Sequence, residues 1–193
     1  MSEPILQARG IVRRFGGVVA VNDVDLAVET GQIVGLIGPN GSGKSTMVNL
    51  VTGELAPDSG SLRFAGQDVT ALDPSARTRL GMARSFQMLR LFRSLSVEDN
   101  LVLASHFRMR SGALANVLRA PAAMEEERAL RARARELLGW FELEDFAGKP
   151  VTAMSIGQQR MVELARGILS QPRLFVLDEP AAGLSPVNVD RLI

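Results

Sequence analysis

The sequence contains no cysteine, no tyrosine, one tryptophan and one histidine. Without cysteine the chain has neither disulfides nor thiolate-bound metal, a composition that fits a reducing compartment. No apolar run approaches the roughly 20 residues that a membrane-spanning helix needs, and the first residues lack a signal-peptide pattern. We therefore expect a protein that reaches a membrane only through a partner.

The chain also lacks an excess of charge of either sign. Lysine and arginine number 22 and aspartate and glutamate number 21, which gives a formal net charge of +1. Surfaces that bind nucleic acid or anionic membranes usually carry a clear positive excess, so the sequence predicts no nucleic-acid partner. Its 193 residues suffice for one domain with its own core and a small subdomain.

A glycine-rich segment at residues 38–46 carries the strongest chemical signal. It follows the apolar run 33–37 and precedes a segment with helical character at 47–51. This order predicts a buried strand, a phosphate-binding loop and a helix start, which is the context of a Walker A loop and disfavours an accidental glycine-rich turn. The glycines let backbone N–H groups approach an anion, Lys44 adds positive charge for the terminal phosphates, and the Ser45 hydroxyl suits Mg²⁺. The predicted nucleotide-binding residues are Gly38, Pro39, Asn40, Gly41, Ser42, Gly43, Lys44, Ser45 and Thr46.

Periodicity and turn signals predict the remaining elements. Strands are expected at residues 5–14, 18–28, 61–65 and 82–86, a short helix at 74–80, and a helical region from 97 to 139 that includes a helix at 124–138. In the second strand, alternation places Ala20, Asn22, Val24, Leu26 and Val28 on one half-buried face.

These elements predict one α/β domain over residues 1–193. The expected fold is a P-loop nucleotide-binding core with a mixed or parallel sheet, flanking helices and an N-terminal antiparallel β subdomain, joined to a helical subdomain. Its expected parts are the ATP-binding core at 1–96, a helical insertion at 97–153, and a capped helix, a strand and a loop at 154–193.

A second acidic motif completes the expected site. The apolar run 174–177 ends in Asp178 and Glu179. Such a run is typical of a strand buried on both faces of a parallel sheet, and doubly wound sheets bind ligands at the carboxyl ends of their strands. With the phosphate loop upstream, we expect Asp178 to hold Mg²⁺ directly or through water, and Glu179 to orient or activate the attacking water.

A third motif precedes this strand. Ser155 and Gln158 have the spacing of a capping box at the start of an amphipathic helix. The segment is either no more than a well-capped amphipathic helix or, because a helix N-terminus attracts anions, a second anion site. Because one domain already has a phosphate loop, the spare site suggests a second nucleotide that is contacted from outside.

The sequence SIGQQR at 155–160, between a Walker A loop and a Walker B strand, resembles the signature motif of ATP-binding cassette (ABC) ATPases. The resemblance covers essentially the whole chain. It implies an ATPase that works as a head-to-tail dimer, in which the signature helix of one subunit caps the ATP bound by the other. It also implies that Phe15 stacks on adenine, and that Gln87 is the Q-loop glutamine, which contacts Mg²⁺ and water and senses the membrane partner. The implied site residues are Lys44, Gln87 and Glu179 for catalysis, Ser155, Gly157 and Gln158 for nucleotide contact, Ser45, Gln87 and Asp178 for Mg²⁺, and residues 182–185 for the D-loop.

Within the family, the segments 15–21, 86–92 and 179–186 resemble the ATP-binding subunits of branched-chain amino-acid importers. The resemblance implies a peripheral protein on the cytoplasmic face of the inner membrane. Its implied partners are a second ATP-binding subunit, transmembrane permease subunits and, indirectly, a solute-binding protein. Importers of urea and short amides share much of the pattern and remain an alternative, whereas a non-transport cassette protein is disfavoured because tandem cassettes and long coiled-coil insertions are absent from the sequence. The apolar residues Leu89, Leu91, Phe92 and Leu95 are expected either to dock a cytoplasmic helix of the permease or to be buried in the helical subdomain.

The family also places a switch histidine after the strand that follows Walker B. The only histidine of this sequence, His106, precedes the signature, so chain order excludes it from that role. In relatives of this P-loop class that strand inserts between the Walker A and Walker B strands, and without it the sheet would have an unfilled slot with unpaired backbone groups. We therefore expect a partial sequence, or a truncated chain that folds poorly alone and binds nucleotide without hydrolysing it.

Overall fold

The computed structural model describes residues 3–85, 91–105 and 121–178. They belong to two compact units, Met1–Arg84 and Ser85–Ile193. None of the described helices is long and apolar enough to cross a membrane. The elements of the first unit are β1 (Leu6–Phe15), β2 (Val18–Val28), α1 (Lys44–Thr52), β3 (Ser59–Phe64), β4 (Gln67–Asp68), α2 (Pro74–Arg79) and β5 (Met82–Arg84). The second unit contains α3 (Val97–Ser105), α4 (Pro121–Trp140), α5 (Ile156–Leu169) and β6 (Leu174–Val176), with two 3₁₀ turns at Glu144–Phe146 and Val151–Ala153.

An antiparallel sheet of order β2-β1-β3-β4 forms most of the first unit. Its strands follow the predicted ones closely, and β2 has the predicted bounds. Phe15 pairs with Val18 across a tight turn in which Gly16 has a φ of +56°, a conformation that glycine adopts without strain. The prediction of an N-terminal antiparallel β subdomain is confirmed.

One face of β2 differs from the prediction. Val28 is buried and Val24 is half-buried, as predicted. Asn22, which was predicted on the same face, is exposed, and its neighbour Val21 is buried instead. The register shifts between Ile11 and Arg13, which pair with Val24 and Val21, so β2 carries an extra residue there. Such a β-bulge reverses the side-chain alternation, which a strict period of two cannot anticipate.

The predicted strand at residues 33–37 is wrong. These residues form no strand, and their apolar side chains lie exposed, with Ile33 at 98% and Ile37 at 92%. A strand needs a neighbour that pairs its backbone groups, and the ladders formed by the described residues include none for this segment.

Helices α3, α4 and α5 build the second unit around one apolar core. Each contributes an apolar stripe at helical spacing, as the periodicity predicts. Proline at its first residue starts α4, which is longer than the predicted helix 124–138. The buried core residues are Val97, Leu101, Val102, Ala134, Leu137, Leu138, Leu143, Val151, Met154, Met161, Val162, Leu164, Ala165 and Leu169.

Candidate nucleotide-binding site

The segment 38–46 forms a tight loop that ends in the start of α1. Gly41 has a φ of +81° and Gly43 a φ of +90°, and Gly43 is the N-cap of the helix. Ser42 N–H donates to Pro39 O at 3.3 Å inside the loop, and Met47 N–H donates to Gly43 O at 2.8 Å in the first helical turn. A helix start of this kind presents free N–H groups and a partial positive charge to an anion.

The loop lies directly against β2. A Cβ atom at Gly43 would collide with the backbone carbonyl of Ala20, and one at Gly38 would come within 2.7 Å of Ser42 Oγ. Only glycine combines the positive φ and the missing side chain that position 43 requires. The contact also places the β1–β2 hairpin next to the phosphate loop.

Lys44 folds back over this loop. Its Nζ atom donates to Gly38 O at 2.7 Å and to Pro39 O at 2.8 Å. The ammonium therefore lies over the loop carbonyls, at the same end of α1 as the N–H groups of the helix start. A phosphate oxygen is a stronger, charged acceptor than either of these carbonyls.

Two arginines hold the opposite end of α1, and sequence reasoning missed both. The fully buried Arg77 donates from Nη1 to Leu50 O and Val51 O, each at 2.6 Å, and from Nε to Leu72 O at 3.0 Å. Burial lowers the pKa of the Arg77 guanidinium. Arg84 Nη1 donates to Asn49 Oδ1 at 2.7 Å. A cation at the C-terminal end of a helix satisfies the last carbonyls and complements the helix dipole, and no periodic signal in the sequence distinguishes these arginines from exposed ones.

Phe15 occupies the end of β1 at the hairpin turn. Its side chain is 45% exposed, and the Arg13 guanidinium carbon lies 5.0 Å from the centroid of its ring. Exposure leaves the ring available for stacking, which the sequence resemblance predicted for Phe15. The cation over the ring was not predicted.

The predicted capping box at the start of α5 is confirmed. Gln158 N–H donates to Ser155 Oγ at 3.3 Å, and Ser155 N–H donates to Gln158 Oε1 at 2.9 Å. Ser155 is exposed and Ile156 is 72% exposed, so the helix start faces solvent. The N-terminal end of α5 is thus open to an anion from outside the chain.

Further along α5, Gly167 fixes how this helix meets β6. A Cβ atom there would collide with the Phe175 ring of β6. The glycine therefore permits a close approach between the signature helix and the strand that leads to Asp178. Strand β6 is half-buried, so the expectation of burial on both faces is wrong for the described residues.

Ser85 lies beside the end of β6. Ser85 N–H donates to Val176 O at 3.0 Å, and Asp178 N–H donates to Ser85 Oγ at 3.2 Å. These bonds fix the backbone that carries the predicted Mg²⁺ ligand Asp178. The predicted site residues Gln87 and Glu179, the D-loop at 182–185 and His106 lie outside the described residues.

A family model described as ABC transporter matches residues 21–182 of this chain. The match includes the phosphate loop, the capping box and Asp178. The chain belongs to the ABC transporter family. The family contains the ATP-binding cassette fold. The predicted α/β P-loop fold class is therefore confirmed.

Curated relatives extend over the whole chain. It is 41% identical over 192 residues to the high-affinity branched-chain amino acid transport ATP-binding protein BraF of Pseudomonas aeruginosa, covering 100% of this chain and 75% of the relative. It is 38% identical over 192 residues to LivG of Escherichia coli, which has the same description and the same coverage. The predicted family and the resemblance to branched-chain amino-acid transport proteins are confirmed.

Solved structures give the same fold. A nucleotide-free ATP-binding cassette from an ABC transporter superposes with a TM-score of 0.78 and 29% identity, covering 98% of this chain and 74% of that chain. A dimeric cassette in a post-hydrolysis state, bound to ADP and Pi, superposes with a TM-score of 0.79 and 27% identity, covering 97% of this chain and 79% of that chain. The ABC family binds ATP, and this chain carries the loop that such binding requires.

Proposed function

We propose that this chain is the ATP-binding and ATP-hydrolysing subunit of an importer for branched-chain amino acids. The observation that carries the proposal is the combination of a phosphate loop with the geometry described above and whole-chain identity of 41% to a branched-chain amino acid transport ATP-binding protein. The proposed location is the cytoplasmic face of the inner membrane, where permease subunits would hold the chain.

The phosphates of ATP are proposed to lie against the N–H groups at the start of α1. Lys44 leaves the carbonyls of Gly38 and Pro39 to bind the terminal phosphates. The residues offered to Mg²⁺ are the exposed Ser45 hydroxyl, the Asp178 carboxylate and Gln87, all hard oxygen donors of the kind this ion takes.

Mg²⁺ is usually held by one or two protein ligands together with substrate phosphates, so the few protein oxygens proposed here suit this ion. When bound, the ion neutralises charge on the β- and γ-phosphates, while Glu179 is proposed to orient the attacking water.

The start of α5 is proposed to complete the ATP site of a second subunit. Ser155 and Ile156 at its start are exposed, and its first turn is fixed by the capping box of Ser155 and Gln158. A solved cassette that superposes on this chain is described as dimeric and bound to ADP and Pi. A head-to-tail dimer would bring this second anion site against the nucleotide of the partner.

Phe92 is the best-supported contact for a permease subunit. Its side chain is 50% exposed, whereas Leu91 packs against the core of the second unit and Leu95 is half-buried. The fully buried Asn100 holds the Phe92 backbone, since its Oδ1 accepts from Phe92 N–H at 2.8 Å and its Nδ2 donates to Phe92 O at 3.0 Å. Leu89, the fourth residue of the predicted docking surface, lies outside the described residues.

ATP turnover by the purified chain tests the catalytic proposal. We expect Lys44→Ala to abolish ATP binding, and Glu179→Gln to retain bound ATP while hydrolysis falls severely, since the first removes a phosphate contact and the second the group proposed to serve water. Unchanged turnover in Glu179→Gln would remove Glu179 from this role. A wild-type chain that binds MgATP without turning it over would be a module that only binds nucleotide.

The transported solute is tested in cells. We expect deletion of this coding sequence to abolish uptake of labelled leucine, and a plasmid copy to restore it, whereas the Lys44→Ala copy should not. Loss of urea or acetamide uptake with normal leucine uptake would favour the alternative importer class.

A further inference from the structure

Arg13 covers one face of the ring that is proposed to stack on adenine. The guanidinium carbon lies 5.0 Å from the Phe15 centroid, within the range at which a cation is attracted to an aromatic face. Arg13 is itself largely buried, with 25% of its side chain exposed, whereas Phe15 is 45% exposed. The less exposed cation thus lies over the ring of an aromatic residue that is itself open to solvent.

A carboxylate holds this arginine in place. Arg13 Nη1 donates to Asp58 Oδ1 at 3.0 Å and to Ala56 O at 3.1 Å. Asp58 is fixed in turn, because its Oδ2 accepts from Arg14 N–H at 2.6 Å and its own N–H donates to Val12 O at 2.8 Å. Asp58, Arg13 and Phe15 thus form a row in which each member orients the next.

The row ends close to the phosphate loop. Phe15 pairs with Val18 at the hairpin turn, and Ala20, two residues further, lies against Gly43 so tightly that a Cβ there would collide with its carbonyl. A nucleotide whose phosphates lie at the start of α1 would have the hairpin turn beside it.

We propose that Arg13 is a positioning residue for base recognition, an inference that rests on the proposed ATP binding. Arg13 occupies one face of Phe15 and fixes the ring, so that the adenine base stacks on the opposite face. A ring already fixed loses less side-chain entropy when the base binds, and its contact area is available without rearrangement. Arg13 and Asp58 then set the affinity for the base without touching the nucleotide.

Isothermal titration of the 193-residue chain with MgATP and with magnesium tripolyphosphate tests the proposal. Tripolyphosphate has the phosphates and no base, so it separates base stacking from charge. We expect Arg13→Met to weaken MgATP binding by roughly three- to tenfold, the cost of ordering one side chain on binding, and to leave tripolyphosphate binding unchanged. Arg13→Lys, which keeps a cation near the ring, should recover part of the loss.

The matched control is Arg9→Met, which removes the same charge from an exposed position of β1. In a Phe15→Ala background, Arg13→Met should have no further effect on MgATP binding, because the ring through which it acts is gone.

Equally weakened binding of both ligands, or unchanged ATP affinity in a folded Arg13→Met chain, would overturn the role of Arg13 alone. If Arg13→Met does not fold, Arg13→Lys carries the test: a partial loss of MgATP affinity with unchanged tripolyphosphate binding supports the role, and equal loss for both ligands or no loss for either opposes it. A wild-type chain that binds tripolyphosphate and MgATP equally would remove the base contact proposed for Phe15, and one that binds neither would overturn the proposed ATP site itself.

Discussion

The guanidinium of Arg77 donates to the backbone carbonyl of Val51 over 2.6 Å, at the opposite end of α1 from the phosphate loop. With Leu50 O, a second acceptor of the same Nη1 atom, this bond satisfies carbonyls that the helix leaves without partners. Gly43 at the N-terminal end and Arg77 at the C-terminal end therefore bound the helix that the phosphate loop depends on. The stability of one end should affect ligand binding at the other.

Replacing Arg77 with methionine tests the support at the C-terminal end. We expect Arg77→Met to lower the free energy of unfolding by about 2–4 kcal/mol, because buried carbonyls lose a charged hydrogen-bond donor. Part of the loss is offset, since the variant no longer buries a charged guanidinium. Urea denaturation followed by circular dichroism measures this. The control is Arg79→Met, which removes an exposed arginine of the same helix and should change stability by less than about 0.5 kcal/mol. Equal effects of the two substitutions would contradict the helix-capping role.

Gly43 gives the corresponding test at the phosphate loop. We expect Gly43→Ala to weaken MgATP binding by about tenfold or more, because a positive φ and the nearby Ala20 carbonyl together oppose any side chain. Isothermal titration gives the affinity. Gly17→Ala, in the hairpin turn, is the matched control, since a Cβ at Gly17 meets nothing within 4 Å. A Gly43→Ala chain that binds MgATP normally would show that the loop adopts another conformation with ligand.

The sequence predicts those features that depend on local pattern. The hairpin of β1 and β2, the phosphate loop and the capping box of Ser155 and Gln158 each follow from spacing and residue type over a few positions. The bulge in β2 does not, because its extra residue is defined only by pairing with Ile11 and Arg13. The prediction of a strand at residues 33–37 is wrong for the same reason, since an apolar run forms a strand only where another strand pairs with it.

The residues that support the site are equally hidden from sequence reasoning. Arg13, Arg77 and Arg84 resemble solvated surface arginines in composition, and their roles arise from acceptors 27 to 45 residues away. Contacts of that range carry no periodic signal. The structure thus adds the groups that hold the predicted ligand-binding residues in place.

A pH-dependent test concerns the start of α3. The Ser96 hydroxyl donates to Asp99 Oδ2 at 2.7 Å and accepts from Asp99 N–H at 3.1 Å. The pKa of the Asp99 carboxyl is lowered, chiefly by the hydrogen bond from Ser96. Arg131 also lowers this pKa, whereas burial raises it. A carboxyl with a lowered pKa contributes stability above its unfolded value of about 3.9 and loses it as the pH falls through the folded value.

We therefore expect Ser96→Ala to destabilise the chain by about 1 kcal/mol near neutral pH, and by less as the pH falls below about 4. Urea denaturation at a series of pH values measures the difference from wild type. Ser94→Ala, an exposed serine two residues earlier, serves as the control and should show no such pH dependence. A difference that grows as the medium becomes more acidic would contradict the assigned direction of the Asp99 shift.

Replacing Gln158 with glutamate separates the structural and the functional role of the signature helix. Glutamate at this position can accept the Ser155 N–H bond as Gln158 does, and its negative charge lies favourably at a helix N-terminus, so thermal stability should be unchanged or slightly higher. The same charge would repel a phosphate, so we expect ATP turnover to fall by about tenfold or more. Ser155→Ala should show the opposite pattern in stability, with a loss of about 1 kcal/mol from the missing cap. A thermal melt and a phosphate-release assay on both variants decide the matter, because a Gln158→Glu chain with wild-type turnover would mean that no phosphate approaches the start of α5.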